Sequence, residues 1–292
     1  MSGQERILER VEALLDRIER LLPRDPAAID WGESVALRWR RAAFGPGWLQ
    51  PVHARLGTRL ADLHCIDGQR DALVTNTRQF LAGLPANNAL LWGPRGTGKS
   101  SLVKAILAEF ASSGLRLVEI DREHLLDLPD VVTPLGQRPE RFIVYCDDLS
   151  FETGDASYKA LKAMIDGSIQ RTPDNVIVYA TSNRRHLLPE RLADNLEARN
   201  VDGEIHHAEA VEERISLSER FGLWLSFHPF SQDEYLEIVA HWLRRLGARD
   251  SGDPALRTQA LAWALAHGSR SGRSAWQFAK DWAGRKALQG HA

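Results

Sequence analysis

Residues Gly93-Pro94-Arg95-Gly96-Thr97-Gly98-Lys99-Ser100 constrain what this chain can fold into more than any other stretch. Glycine, four residues, then Gly-Lys-Ser is the spacing of a phosphate-binding loop, the Walker A pattern. The apolar run Ala89-Leu90-Leu91-Trp92 precedes it, and a helical pattern from Ser101 to Leu107 follows. Strand, glycine-rich loop and helix in that order give the spacing its structural meaning. Gly96 and Gly98 lack a Cβ, so the backbone can curl until its N–H groups aim inward. The helix that begins there adds free N–H groups and the positive end of its dipole. Such a concavity suits the crowded negative charge of a nucleoside triphosphate. Lys99 can reach the β- and γ-phosphates as a point charge, and the Ser100 hydroxyl can sit on Mg²⁺. The expected nucleotide-binding residues are thus Gly93, Pro94, Arg95, Gly96, Thr97, Gly98, Lys99, Ser100 and Ser101.

Around this loop the hydrophobic pattern is regular. Strands are expected at 88–92, 116–120, 141–147, 175–181 and 224–228, with helices near 70–82, 99–112, 157–169 and 212–222. Strands alternating with helices imply a parallel sheet with right-handed crossovers. The runs at 141–147 and 175–181 are nearly all apolar, as central strands covered on both faces should be. After Pro229 the pattern turns helical, at 231–246, 254–267 and 272–287. The expected fold class is α/β: a parallel-sheet P-loop core over 62–229, a small C-terminal all-α domain over 230–292, which the resemblance drawn below makes a helical lid, and an N-terminal helical region over 1–61.

That N-terminal region is the least regular part. Ile7, Val11, Leu14, Ile18 and Leu21 form a short seam on one amphipathic helix, which packs on its own domain or on a partner helix. Trp31, Trp39 and Trp48 then alternate with Arg38, Arg40, Arg41 and Arg55. Interleaved aromatics and arginines can bind single-stranded nucleic acid; they equally describe a small subdomain with a tryptophan core. The formal net charge of −2 does not demand nucleic acid. Two isolated cysteines, Cys65 and Cys146, offer neither a disulfide framework nor zinc-ligand spacing. The first residues are polar, and no apolar run approaches the about 18 residues of a membrane span. A cytoplasmic protein with no membrane partner is expected.

Two further motifs complete the site. Phe142-Ile143-Val144-Tyr145-Cys146-Asp147-Asp148 is an apolar strand ending in two carboxylates, a Walker B pattern. Asp147 is expected to hold Mg²⁺, and Asp148 to orient or deprotonate the attacking water. The next strand runs from Asn175 to Thr181 and ends in Ser182-Asn183-Arg184-Arg185.

Here the chain resembles the AAA+ ATPases. In that family a polar residue at the tip of this strand, sensor 1, helps to place the hydrolytic water; Asn183 matches it. Ser218-Glu219-Arg220-Phe221-Gly222-Leu223 resembles the arginine box of replication initiators and helicase loaders. The resemblance makes Arg220 a finger that reaches the nucleotide of a neighbouring subunit, worth about 10³–10⁵ in rate. Arg184, Arg185 and Arg214 are the alternatives. The run Gly268-Ser269-Arg270-Ser271-Gly272-Arg273 opens the last helix, where AAA+ lids carry the sensor 2 arginine; Arg273 matches best, with Arg270 second. Ile66-Asp67-Gly68-Gln69 resembles the family's base-binding loop and would place Ile66 against the purine.

The runs Cys146 to Glu152 and Ala180 to Pro189 resemble one bacterial branch of the family, a domain of unknown function numbered 815. The resemblance implies an ATPase with ATP and Mg²⁺, an ATP-dependent homo-oligomer, and an unidentified protein or nucleic-acid partner. The alternative is a nucleotide-gated switch with little turnover. Two departures bear on this choice. Most AAA+ enzymes place Glu where this chain has Asp148, which shortens the reach by about 1.5 Å; Glu152 is a substitute base. Residues 190–217 form a charged insertion that suits a partner-binding loop better than a metal site at His206-His207.

Overall fold

A computed structural model describes residues 29–42, 45–53, 57–151, 155–166, 172–184, 187, 220–248 and 254–290. The expected helix over 1–22, the insertion at 190–217 and the helix at 212–222 lie outside these residues, apart from the end of the last.

The described strands are β1 (Ala36–Arg41), β2 (Gly47–Pro51), β3 (Ala89–Trp92), β4 (Leu115–Glu119), β5 (Arg141–Cys146), β6 (Val176–Ser182) and β7 (Leu223–Ser226). They form one sheet in the order β2-β1-β4-β5-β6-β3-β7. Every neighbouring pair is parallel except the β1–β2 hairpin. The helices of the α/β layer are α1 (Asp67–Leu81), α2 (Lys99–Phe110), α3 (Leu128–Leu135) and α4 (Ala156–Asp166). The lid is α5 (Gln232–Arg245), α6 (Pro254–Ala266) and α7 (Gly272–Gly290). Among the described residues no helix is long and apolar enough to cross a membrane.

The pleat decides which side chains meet which helices, because successive residues point to opposite faces. In β5, Ile143 and Tyr145 join the core built by α1, α2 and the lid, while Phe142, Val144 and Cys146 join the core built by α3 and α4. In β6, Ile177 and Tyr179 divide from Val178 and Ala180 in the same way. From Phe142 to Cys146 and from Val176 to Ala180 both strands are therefore apolar on both faces, as the sequence pattern requires. α1 is tied to the sheet through polar contacts as well. The Tyr179 hydroxyl meets Thr77 Oγ1 at 2.8 Å and accepts from Asn76 Nδ2 at 3.1 Å.

Two elements differ from what the sequence pattern leads one to expect. The region expected to be helical up to residue 61 contributes a β-hairpin to the sheet instead. Leu37 and Trp39 are buried and alternate with Arg38 and Arg40, the period of a half-buried strand. A Cβ on Gly47 would stand 2.0 Å from the Trp39 ring, so the tryptophan lies across the glycine of the partner strand. The Trp39 indole N–H donates to Asp127 Oδ2 at 2.9 Å, and Arg41 pairs with the same carboxylate. Arg38 pairs with Glu119 at 2.8 Å, and Arg40 donates to Gln50 at 3.1 Å. Trp31 packs edge-on against Phe142. Trp39, Arg38 and Arg41 therefore fasten the hairpin to the rest of the fold, as a tryptophan packed into a small subdomain would, while Arg55 of the stripe lies outside the described residues. The second difference is α3, which the hydrophobic pattern did not lead one to expect. Its prolines disguise it: Pro129 lies in the first turn, where an N–H is not needed, and Pro134 lies near its end. Leu128, Val131, Val132 and Leu135 still form one buried face.

The lid begins at a capping box. The Ser231 hydroxyl accepts from Glu234 N at 3.2 Å, and Glu234 Oε2 accepts from Ser231 N at 2.7 Å. Tyr235, Ile238, Val239, Phe278 and Trp282 then extend the core that backs α2.

Candidate nucleotide-binding site

The loop between β3 and α2 has the backbone that its glycines allow. Gly93, Gly96 and Gly98 all take positive φ, at 140°, 79° and 104°. The loop surrounds the buried Lys99 ammonium, which donates to Gly93 O at 2.6 Å and Pro94 O at 2.7 Å. Lys99 Nζ also donates to Asn183 Oδ1 at 3.2 Å. Burial pushes the ammonium below the ordinary lysine range, although Asp148 and Asp147 pull it back up. Thr97 Oγ1 braces the loop by donating to Pro94 O at 2.9 Å.

β5 delivers the two carboxylates to the same place. Asp147 Oδ1 accepts from Ser100 Oγ at 2.8 Å, Tyr145 OH at 2.7 Å and Thr181 Oγ1 at 2.5 Å. Desolvation pushes its pKa up, but these three hydroxyls outweigh it and hold the carboxyl below its ordinary range. Burial and the adjacent Asp147 charge push the Tyr145 phenol well above its ordinary value.

Asp148 sits in the left-handed region, with φ at 53°. Its N–H donates to Thr181 Oγ1 at 2.9 Å, which holds the turn. One carboxylate oxygen accepts from Asn183 Nδ2, and the other pairs with Arg95 NH2 at 3.2 Å. β6 lies beside both β5 and β3, and this adjacency brings Thr181 and Asn183 between the two motifs.

These groups line one end of a cavity of about 750 Å³ between the sheet and the lid. Arg95, Gly96, Thr97, Gly98, Lys99, Ser100, Ser101, Asp147, Asp148, Thr181 and Asn183 form its polar end. Leu63, Ile66, Phe230, Ile238, Trp242 and Trp276 supply apolar and aromatic surface elsewhere in it, with Asp62, His64 and Arg245 beside Trp242. Trp242 and Trp276 are in contact, with ring centroids 4.7 Å apart. The lining suits a ligand that carries both phosphates and a planar base. Ile66 is buried and reaches the Gly98 side of the loop. Gly93 and Pro94 hold Lys99 through their carbonyls and stand behind the lining.

The lid touches the loop directly. Gly272 N donates to Gly96 O at 2.8 Å, and a Cβ on Gly96 would come within 2.7 Å of Ser271 Cβ. Arg273 follows at the start of α7 and lines the cavity; Arg270 is not among the lining residues.

A second junction joins the segment from Arg59 to His64, just before α1, to α5. Asp62 is buried and pairs with Arg245, and Arg59 N donates to it at 2.8 Å. Burial pushes this carboxyl up, but the hydrogen bonds from Arg245 and Arg59 hold it below its ordinary range. His241 Nε2 lies 3.4 Å from the other Asp62 oxygen, and His241 Nδ1 lies 2.9 Å from His64 Nε2.

Arg220 is placed elsewhere. It pairs with Asp166 at the end of α4 and is not among the residues that line its own cavity. Arg184 is described and exposed, with no place in the lining; Arg185, Arg214 and Glu152 lie outside the described residues. Sequence reasoning assigned no role to Thr181, Tyr145, Trp242, Trp276 or Asp62. Thr181 had a signal in its position two residues before Asn183, at the end of an apolar strand. The lid aromatics had none, because their spacing is that of any amphipathic helix.

A family model described as "Protein of unknown function (DUF815)" matches residues 32–286. Among solved structures, the chain is similar to a Thermotoga maritima RuvB variant, with a TM-score of 0.46 and 16% identity over 74% of this chain and 59% of that one. It is similar to the Aeropyrum pernix Orc1 protein in complex with DNA, with a TM-score of 0.49 and 16% identity over 75% of this chain and 61% of that one. DnaI matches with a TM-score of 0.42 and 16% identity, over 67% of this chain and 96% of that one. The chain thus spans about three-fifths of the first two structures, 59% and 61% of their lengths.

Proposed function

This chain belongs to the DUF815 family, and we propose that it is an AAA+ P-loop protein that binds ATP with Mg²⁺ and hydrolyses it at the γ-phosphoryl group. One arc of contacts carries the reading. The loop carbonyls hold Lys99, Lys99 holds Asn183, and Asn183 holds Asp148, all at the polar end of one cavity.

In this reading Lys99 and the loop amides neutralise phosphate charge. The Ser100 hydroxyl and the Asp147 carboxylate are adjacent hard oxygen donors, so the residues present fit Mg²⁺. When bound, the ion would supply charge neutralisation at the phosphate oxygens. Asp148 accepts a hydrogen from the attacking water, and Asn183 fixes the orientation of that carboxylate. Thr181 holds both aspartates in register, through the Asp147 carboxylate and the Asp148 N–H. The apolar and aromatic surface receives the base against Ile66 and the lid aromatics. Arg273 brings the lid's charge to the phosphates, so that lid closure follows the nucleotide.

Arg220 acts on the nucleotide of a neighbouring copy, a role supported by its position away from its own cavity. ATP-dependent self-association follows from that role, and the resulting movement remodels a protein or nucleic-acid partner. The test is Mg²⁺-ATP turnover per subunit across a wide range of protein concentration. Specific activity should climb with concentration, and Arg220→Ala should abolish the climb. Equal turnover by the variant and the wild type rejects the finger.

One observation favours the second reading, a nucleotide-gated switch. The shorter Asp148 has both carboxylate oxygens engaged, by Asn183 and by Arg95. A flat, near-zero rate despite tight ATP binding would select it.

A further inference from the structure

Arg95 has a position that the Walker A pattern does not require. It lies on the phosphate loop and lines the cavity, yet its guanidinium is drawn onto Asp148, NH2 to Oδ2 at 3.2 Å. The other Asp148 oxygen accepts from Asn183, whose amide oxygen accepts from Lys99. The carboxylate that would orient water is thus bracketed by an amide and a guanidinium, and the guanidinium belongs to the loop that would wrap the phosphates. Arg95 and Lys99 both line this end of the cavity. The phosphate end of the cavity therefore holds two cations from one loop.

The Arg95–Asp148 pair is easily broken. Its side chains are 77% and 51% exposed, and exposed pairs contribute little net stability. A phosphate group is a stronger partner, because it carries more charge and accepts the guanidinium fork through two oxygens.

Resting on the ATP reading above, we propose that Arg95 is a γ-phosphate sensor acting within its own chain. In the absence of the terminal phosphate the guanidinium rests on Asp148. When that phosphate is present, the guanidinium moves to it and frees Asp148 Oδ2 to accept a hydrogen from water. One exposed side chain thereby distinguishes triphosphate from diphosphate and ties the water-orienting carboxylate to that distinction. Arg95 is a binding residue for the γ-phosphate and a positioning residue for Asp148.

The test is calorimetric titration of the full chain with Mg²⁺-ADP and with the slowly hydrolysed Mg²⁺-ATPγS. It uses the wild type, Arg95→Ala, Asp148→Asn and the double variant. Arg95→Ala should lower the preference for ATPγS over ADP by about tenfold or more, the value of one charge-assisted contact, with ADP affinity changed less than about twofold. Asp148→Asn should tighten ATPγS binding, and the double variant should lose most of that gain, because there is then no guanidinium to release. The proposal is overturned if Arg95→Ala leaves the preference intact, or if Asp148→Asn tightens binding equally in both backgrounds. Wild-type protein that binds neither nucleotide would overturn the ATP reading along with it. Wild-type binding with an unaltered preference in Arg95→Ala would overturn the sensor alone.

Discussion

Lys99 is a cation held in a place that suits it only when more negative charge arrives. Two backbone carbonyls and an amide oxygen accept its hydrogens, but burial still lowers its proton affinity. In the proposed function a bound phosphate supplies the compensating charge, a trade of stability for binding that is common at functional sites. Lys99→Met keeps the aliphatic stem and removes the charge. Its melting temperature should equal or exceed that of the wild type, while ATP affinity falls by at least about a hundredfold. Calorimetry and thermal unfolding of the same preparation check both halves. A marked loss of stability would mean that the ammonium props the loop open. The spacing around Gly98 and Lys99 made this residue legible in the sequence. The Asp148 conformation was not legible, because a left-handed φ at a non-glycine residue depends on the Thr181 hydroxyl beneath it.

At the scale of elements, the site is made where pieces of the chain abut. α7 starts against Gly96, and α5 is fastened to the segment before α1 through Asp62, Arg245 and His241. Burial, with His64 as the next cause, lowers the His241 pKa below its ordinary 6.5. The groups around it are Asp62, His64, Glu237, Arg59, Arg244 and Arg245. The unfolded chain binds a proton at this histidine near its ordinary value, and the folded chain only at lower pH. Between the two values the unfolded state holds more protons, so stability falls as pH drops below about 6.5. His241→Gln should flatten that slope in melting temperatures measured between about pH 5 and 7.5. An unchanged slope would assign the effect to other groups. The lid helices themselves were legible from their periodicity. The junction was not, since Asp62 and Arg245 are far apart in the chain and neither belongs to a motif.

For the whole molecule, the strand order determines which chemistry can assemble. β6 separates β3 from β5, so Thr181 and Asn183 at its end stand between the glycine-rich loop and the two carboxylates. Arg220 lies before β7, away from the cavity that its own chain forms. In the proposed mechanism a finger in that position serves another copy. Mixing Lys99→Ala with Arg220→Ala should therefore restore ATP turnover that neither variant has alone. In the mixture an intact Arg220 from one copy completes the intact phosphate loop of the other. Absence of recovery, with mixed assemblies demonstrated by size analysis, would remove the arginine from the mechanism.

The phosphate loop, the two carboxylates, the apolar central strands and the helical lid are all written in neighbouring residues. Each is a glycine spacing, a period of two or a period near 3.6, and needs no distant partner to be read. The remaining features exist only once the chain has packed. Packing drew Trp39 from an apparent aromatic–arginine stripe into a hairpin anchored on Asp127. It set Arg95 on Asp148 across 53 positions of chain, and Asp62 under a lid arginine. It gathered Trp242 and Trp276 into the lining of the cavity. Such contacts follow from sheet order and helix docking, which a local pattern does not contain, because the same hydrophobic period is satisfied by many partners and only close packing selects one.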